Sequence, residues 1–302
     1  MQSIGILKKL KILLSAIKLP GFKGLSLFDL IRMYGIGIVK GTLTSRAGSI
    51  SFSFFMALFP FLLFVLNLIP FIPIENFDVI LLEFIELLLP KEIQAFFSDI
   101  FNDIQNKPRG GLLSTVFLLS IFLSANGVSS IFTNFEESLH VKEARNIFKQ
   151  YVYAMGVAVL LAMTLLVAVA TFIFVEIYVL RYLPPIFQDT INWIRIAQLF
   201  FFVIMAYISI AILYYFGTIE GRKANFFSIG AAMTTLLFIA TTYLYGIYID
   251  NFANYNQLYG SIGALLLFLL YIWINATILL LGFELNAALT RLKLSSAPRT
   301  NS

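Results

Sequence analysis

The sequence predicts an all-α polytopic membrane protein: a bundle of six transmembrane helices with amphipathic helices at the membrane surface. Two observations lead to this class. The 302 residues are 60% hydrophobic and only 12% charged, which is about half the charge of a soluble domain. Several apolar runs also exceed the roughly 20 residues that a helix needs to cross a hydrocarbon core of about 30 Å.

The six predicted spans lie at about 48–72, 112–133, 151–180, 195–216, 226–248 and 260–284. They form a transmembrane domain at 47–289, preceded by basic interfacial helices at 1–46 and followed by a cytoplasmic tail at 290–302. Within the domain, the segment at about 74–110 contains Ile and Phe at helical spacing, which predicts an amphipathic helix on the outer surface.

The Lys and Arg residues predict the orientation of the spans. Sixteen of them fall on the side that holds both termini, and five fall on the opposite side. Basic residues concentrate on the cytoplasmic side, so both termini are expected there. The expected partners are the bilayer and its anionic headgroups on that side, and the net charge of +5 then requires no nucleic acid.

The last span contains polar groups that lipid penalises. In YIWINATILLLGFELNAAL, Asn275, Gly282 and Asn286 share one helical face, and Glu284 lies on the opposite face near the cytoplasmic end. The shared face either packs closely against another helix or lines a polar path. Glu284 either pairs with a base such as Arg291 or is functional, as intramembrane acids often are.

The second span, LLSTVFLLSIFLSANGVSSIFTN, presents a broad polar arc that includes Ser124, Asn126 and Ser130. Serines alone indicate close helix packing, whereas an arc of this width favours a wet interior. We expect the polar face of the sixth span to point towards this arc.

Pro60 lies in the middle of the first span. Proline removes a backbone donor and clashes with the preceding turn. It predicts either a kink or a candidate helix break that lines a site, as in transporters.

The sequence shows no catalytic constellation, no cysteine and a single histidine, His140. His140 lies near Glu136, Glu137 and Glu143, and we interpret this loop as solvated and charged, although a metal site is the alternative. No nucleotide-binding or zinc-protease motif is present. We therefore expect no enzyme, metal or cofactor, and any transport would be passive, gradient-driven or partner-driven.

The stretches RAGSISFSFFMALFPFLL and YGSIGALLLFLLYIWINATILLLGFELNAAL resemble the YihY/BrkB family of bacterial inner-membrane proteins, formerly labelled ribonuclease BN. The resemblance covers about residues 30–290. The chain departs from it in YYFGTIEGRKAN, where a Pro-Asn pair is expected near the end of the fourth span. The resemblance implies six helices in a bacterial inner membrane, a role in transport or in envelope lipids and virulence, and no ribonuclease activity.

Two functions remain open on these grounds. The first is transport or permeation of a small solute, an ion or a lipid, and the second is a non-transporting scaffold in envelope assembly or lipid homeostasis. A polar cavity that joins Asn126 to Asn275 would favour a solute, a dry bundle would favour the scaffold, and a cavity open to the bilayer would favour a lipid. A homo-oligomer is compatible with each.

The orientation can be tested by cysteine labelling, because the chain has no cysteine of its own. We expect an impermeant reagent applied to intact cells to label Asn102→Cys and to leave Asn301→Cys unlabelled. Labelling of the second variant without cell lysis would reverse the predicted orientation.

Overall fold

Six long α-helices make up most of the described chain. The computed structural model describes residues 42–68, 113–138, 140–174, 188–251 and 261–295, with a few single positions besides. The helices are α1 Thr42–Leu68, α2 Leu113–Glu136, α3 Ile147–Phe174, α4 Gln188–Gly217, α5 Ile229–Asn251 and α6 Ser261–Ser295, with a 3-10 turn at Glu220–Lys223. The predicted all-α class is confirmed.

Among the described residues, five helices, α2 to α6, are long and apolar enough to cross a membrane. The remaining helix, α1, has 27 residues and coincides with the first predicted span as far as Leu68. The predicted outer helix at 74–110 and nearly all of the predicted segment 1–46 lie outside the described residues. Helix α6 continues to Ser295, so it extends into the segment predicted as a tail.

Helices that are consecutive in the chain pack against each other, and the last helix also packs against the first. Helix α2 packs between α1 and α3, α4 packs between α3 and α5, and α6 packs against both α5 and α1. The last helix therefore returns to the first.

Side-chain caps define where two of the helices begin. The Asn146 side chain accepts a hydrogen bond from the Phe148 N–H at 3.1 Å at the start of α3. The Ser228 hydroxyl accepts one from the Ala231 N–H at 3.2 Å at the start of α5. Each cap satisfies an N–H that the first helical turn leaves unpaired.

Three aromatic rings join α2, α4 and α6 in the core. Phe135 and Phe283 stack with centroids 4.0 Å apart, and Tyr214 meets them edge-on at 5.6 and 5.8 Å. The Tyr214 hydroxyl donates to the Leu279 carbonyl and bonds to the Thr234 hydroxyl, both at 2.7 Å. A buried tyrosine needs such partners for its polar end.

Helices α5 and α6 approach closely because glycines face each other. A Cβ on Gly230 would lie 2.5 Å from the Gly282 carbonyl oxygen and 2.8 Å from the Asn286 Cβ. A Cβ on Gly282 would lie 1.8 Å from the Thr234 hydroxyl and 2.5 Å from the Tyr214 hydroxyl. Any side chain at Gly282 must therefore separate these helices.

We expect Gly282→Ala to lower the stability of the bundle, because overpacking a tight contact costs about 1–3 kcal/mol. The matched control is Gly246→Ala on α5, where an added Cβ meets nothing within 4 Å. Thermal melting of both variants in detergent tests this, and equal melting temperatures would contradict the observed α5–α6 contact.

Candidate functional site

The carboxylate of Glu284 is the centre of a buried polar cluster near one end of the bundle. Glu284 is 8% exposed, and its Oε1 accepts a hydrogen bond from Arg46 Nη1 on α1 at 2.8 Å. Its Oε2 accepts one from the Ser138 hydroxyl at 2.6 Å and lies 3.2 Å from His140 Nδ1. The carboxylate thus links α6 to the start of α1 and to the loop after α2.

Arg46, which is 7% exposed, extends the cluster to the end of α2. Its Nη2 donates to the Asn134 carbonyl, one of the carbonyls that a helix leaves without an intrahelical partner in its last turn. Its Nε is buried and has no hydrogen-bond partner among the described residues, and the exposed carboxylate of Glu137 lies 4.0 Å away. We refer to Arg46, Asn134, Ser138, His140 and Glu284 as the Arg46 cluster.

The cluster specifies which helix ends meet. Removing two charges from water costs several kcal/mol per ion, and only good geometry and added hydrogen bonds offset that cost. Glu284 has these bonds on both oxygens, which explains how the pair persists in an apolar bundle. Any other arrangement of α1 against α6 would leave one of the two charges buried without its partner.

The structure does not bring the three predicted residues of α2 together. Ser124 is buried, and its hydroxyl donates to the Ser120 carbonyl of its own helix at 2.6 Å. The Ser130 hydroxyl faces α1 and lies 3.4 Å from the Ser49 carbonyl. Asn126 is exposed on the outside of the bundle. The predicted arc is therefore divided between a helix contact and the outer surface.

The polar face of α6 packs on α5. Gly282 and Asn286 are buried against Gly230, and the half-buried Asn275 donates from its amide to the Tyr271 carbonyl one turn earlier at 2.8 Å. The expectation that this face points towards α2 is wrong, because the small residues that match it lie on α5.

Most partners of Glu284 are not evident from the sequence. The carboxylate pairs with a base as expected, but the base is Arg46 and not Arg291. The loop around His140 is largely exposed, but the His140 ring lies against the Glu284 carboxylate, a contact that the sequence did not predict. Arg46 carried a usable signal, because a buried acid near a membrane boundary needs a base at the same depth, and Arg46 precedes the first span.

Helix α1 continues through Pro60 without interruption. The candidate helix break at this position is therefore absent, and α1 does not resemble the discontinuous helices of transporters here.

A cavity of about 170 Å³ lies between α1, α2, α3 and α4. Its described lining is apolar and includes Phe61, Ile131, Leu161 and Leu213, with Ser124 as the one polar residue among the described ones. Phe54 also lines it and is exposed, so the cavity reaches the surface of the bundle. We call it the α1–α4 cavity.

The chain belongs to a family of bacterial integral membrane proteins, since the model of one such family spans nearly all of it. That family is described as virulence factor BrkB, and its model matches residues 37–301. The resemblance found in the sequence is confirmed.

Individual relatives agree with this assignment. The ribonuclease-like protein YfkH of Bacillus subtilis (strain 168) is 26% identical over 264 residues, covering 82% of this chain and 90% of that protein. A UPF0761 membrane protein of Kangiella koreensis is 28% identical over 112 residues, covering 37% of this chain and 28% of that protein. A UPF0761 membrane protein of Psychrobacter sp. (strain PRwf-1) is 35% identical over 63 residues, covering 21% of this chain and 12% of that protein. No solved structure matches the chain.

We expect Glu284→Ala to destabilise the protein by about 3–5 kcal/mol, because it leaves the buried Arg46 charge uncompensated. Glu137→Gln is the control: it removes the exposed acid near the same arginine and should cost about 0–1 kcal/mol. Thermal melting in detergent measures both. Replacing both members of the pair, as in Arg46→Met with Glu284→Leu, should recover much of the loss; equal losses in the single and double variants would contradict a coupled pair.

Proposed function

We propose that this protein is a lipid-handling transporter that binds an acyl chain of a membrane lipid in the α1–α4 cavity. The observation that carries the proposal is the cavity itself, which is apolar and reaches the surface of a membrane-embedded bundle. We further propose that the protein resides in a bacterial inner membrane with both termini in the cytoplasm, which its basic residues and bacterial relatives support.

The size and lining of the cavity fit a hydrocarbon chain. An apolar cavity of roughly 150 Å³ stays dry and can bind benzene, so about 170 Å³ has room for about six chain carbons. The Ser124 hydroxyl is already bonded to its own helix, so the described residues of the wall offer no unpaired side-chain donor. Water would find almost no partner there.

The depth of the cavity also fits a lipid tail. Ala57 in its wall is about 16 Å along α1 from Arg46, and Leu213 is about 6 Å from the end of α4, at 1.5 Å per residue. These depths run from the part of a roughly 30 Å hydrocarbon core that borders the Arg46 cluster to about its middle. The cluster closes that end of α1 against α6, so we propose that lipid enters sideways from the bilayer.

The described polar residues give less support to a path for ions or small solutes. Asn126 is exposed, and Asn275 bonds within its own helix. Neither residue lines the α1–α4 cavity. The sequence carries no nucleotide-binding motif, so we propose that movement of the lipid is passive, gradient-driven or partner-driven.

A non-transporting scaffold is the second candidate, and the dry core around Phe135, Phe283 and Tyr214 favours it. We do not extend the ribonuclease-like name of YfkH to this chain. In the part of the chain that the structure describes, no group of three or more His, Asp or Glu residues is arranged to hold a metal, and the Arg46 cluster is occupied by its own hydrogen bonds.

We expect Leu161→Trp to fill the α1–α4 cavity and to reduce crosslinking of a phospholipid that carries a photoreactive acyl chain, in proteoliposomes. Translocation of a fluorescent phospholipid in the same vesicles should fall in parallel. The matched control is Leu160→Trp. Leu160 is the exposed neighbour on the same helix, so this substitution adds the same bulk outside the cavity.

The two readouts separate the candidates. Crosslinking without translocation by the wild type would favour a lipid-binding scaffold. Equal crosslinking by both tryptophan variants would contradict the assignment of the cavity as the acyl-chain site.

A further inference from the structure

Two basic loops meet at the end of the bundle where α3 begins and α4 ends. The Arg145 guanidinium donates from Nη1 to the Phe216 and Gly217 carbonyls at 2.7 and 3.2 Å, which holds the first loop against the end of α4. The Lys142 N–H donates to the Glu220 carboxylate at 3.2 Å and joins the first loop to the 3-10 turn. The loops thus form one continuous surface.

Arg222 on this surface is held by aromatic rings. Its guanidinium carbon lies 4.6 Å from the centroid of Tyr153 and 5.9 Å from that of Phe216. Arg145 lies 4.8 Å from the same Tyr153 ring. Stacking of this kind orients a guanidinium without using its N–H groups. Arg222 is exposed, and no described acid pairs with it.

The acids nearby do not neutralise the surface. Residues 140–150 and 218–228 together contain five Lys and Arg residues against two Glu residues. Glu220 accepts a backbone N–H, and so does Glu136 at the end of α2. Burial lowers the pKa of Arg145, Glu136 opposes this shift, and the positive charge of Arg222 adds to it, which agrees with two guanidinium groups placed close together.

Exposed apolar side chains lie on the same chain segments as the basic ones. Phe148 is 77% exposed at the start of α3, and Phe227 is 69% exposed just before α5. Both lie where a membrane span begins, which is the depth of the headgroup boundary. Exposed cationic donors and exposed rings on these segments at that depth match a lipid headgroup above its acyl chain.

We propose that Arg222 and Lys223 bind the phosphate of an anionic phospholipid, with Phe148 and Phe227 against the upper part of its acyl chains. Arg222 is the principal donor, because a planar guanidinium offers two parallel N–H groups to a phosphate. Lys223 adds a second exposed charge. This surface is separate from the α1–α4 cavity and does not depend on transport.

The test is native mass spectrometry of the full chain titrated with phosphatidylglycerol and with phosphatidylcholine. We expect the wild type to prefer phosphatidylglycerol, and Arg222→Gln to weaken that binding about fivefold, the equivalent of ~1 kcal/mol for one base near an anionic surface. Arg222→Lys, which retains the charge but not the two-donor geometry, should lose part of the affinity.

Arg195→Gln is the matched control, because Arg195 is an exposed arginine near the opposite end of α4. It should leave phosphatidylglycerol binding unchanged, and an equal loss in both glutamine variants would overturn the proposal. Should Arg222→Gln fail to fold, Lys223→Gln replaces it, since an exposed lysine can be changed without repacking.

A final arm distinguishes the lipid from free phosphate. Inorganic phosphate alone should neither bind with comparable affinity nor displace phosphatidylglycerol at equal concentration. Equal binding of inorganic phosphate would overturn the lipid as the ligand, as would equal affinity of the wild type for the two lipids.

Discussion

The arrangement of this bundle depends on one buried carboxylate. Glu284 lies in an apolar helix, and neither lipid nor a dry core can solvate its charge. Its two oxygens are satisfied by Arg46 of α1 and by Ser138 of the loop after α2. Because these partners are far apart in the chain, satisfying one acid brings three chain segments to the same place.

Several other polar side chains in the spans follow the same rule on a smaller scale. The Gln150 amide of α3 donates to the Thr133 hydroxyl and the Ser129 carbonyl of α2 at 2.7 and 3.2 Å. The hydroxyls of Thr242 and Tyr271 pair across α5 and α6 at 2.8 Å. Within the described helices, polar side chains either fix contacts between neighbours in this way or bond to a carbonyl one turn earlier in their own helix, as expected where lipid offers no hydrogen bonds.

Because these polar groups hold helices together, the apolar cavity and the basic surface are better candidates for ligand contact than a polar path. We propose acyl-chain binding in the α1–α4 cavity and headgroup binding at the basic surface around Arg222, which lies at the same end of the bundle as the Arg46 cluster. Both features suit contact with the lipid of one leaflet, although they involve different helices and different chemistry.

The sequence by itself determined the fold class, the family and the part of the chain in which each described helix lies. Those properties depend on the length of apolar runs and on local motifs, which can be identified in a single sequence. It also showed that Glu284 lies on the face opposite Asn275 and Asn286, since helical periodicity fixes angles within one helix.

Only the tertiary structure decided what each face meets. The close approach of Gly282 to α5, the pairing of Glu284 with Arg46 and the exposure of Asn126 depend on how helices rotate and pair. Periodicity places residues on a common face but cannot say which neighbour that face contacts. Steric fit between small residues, together with the cost of leaving a buried charge unpaired, selects the neighbour, and both act between segments that are distant in sequence.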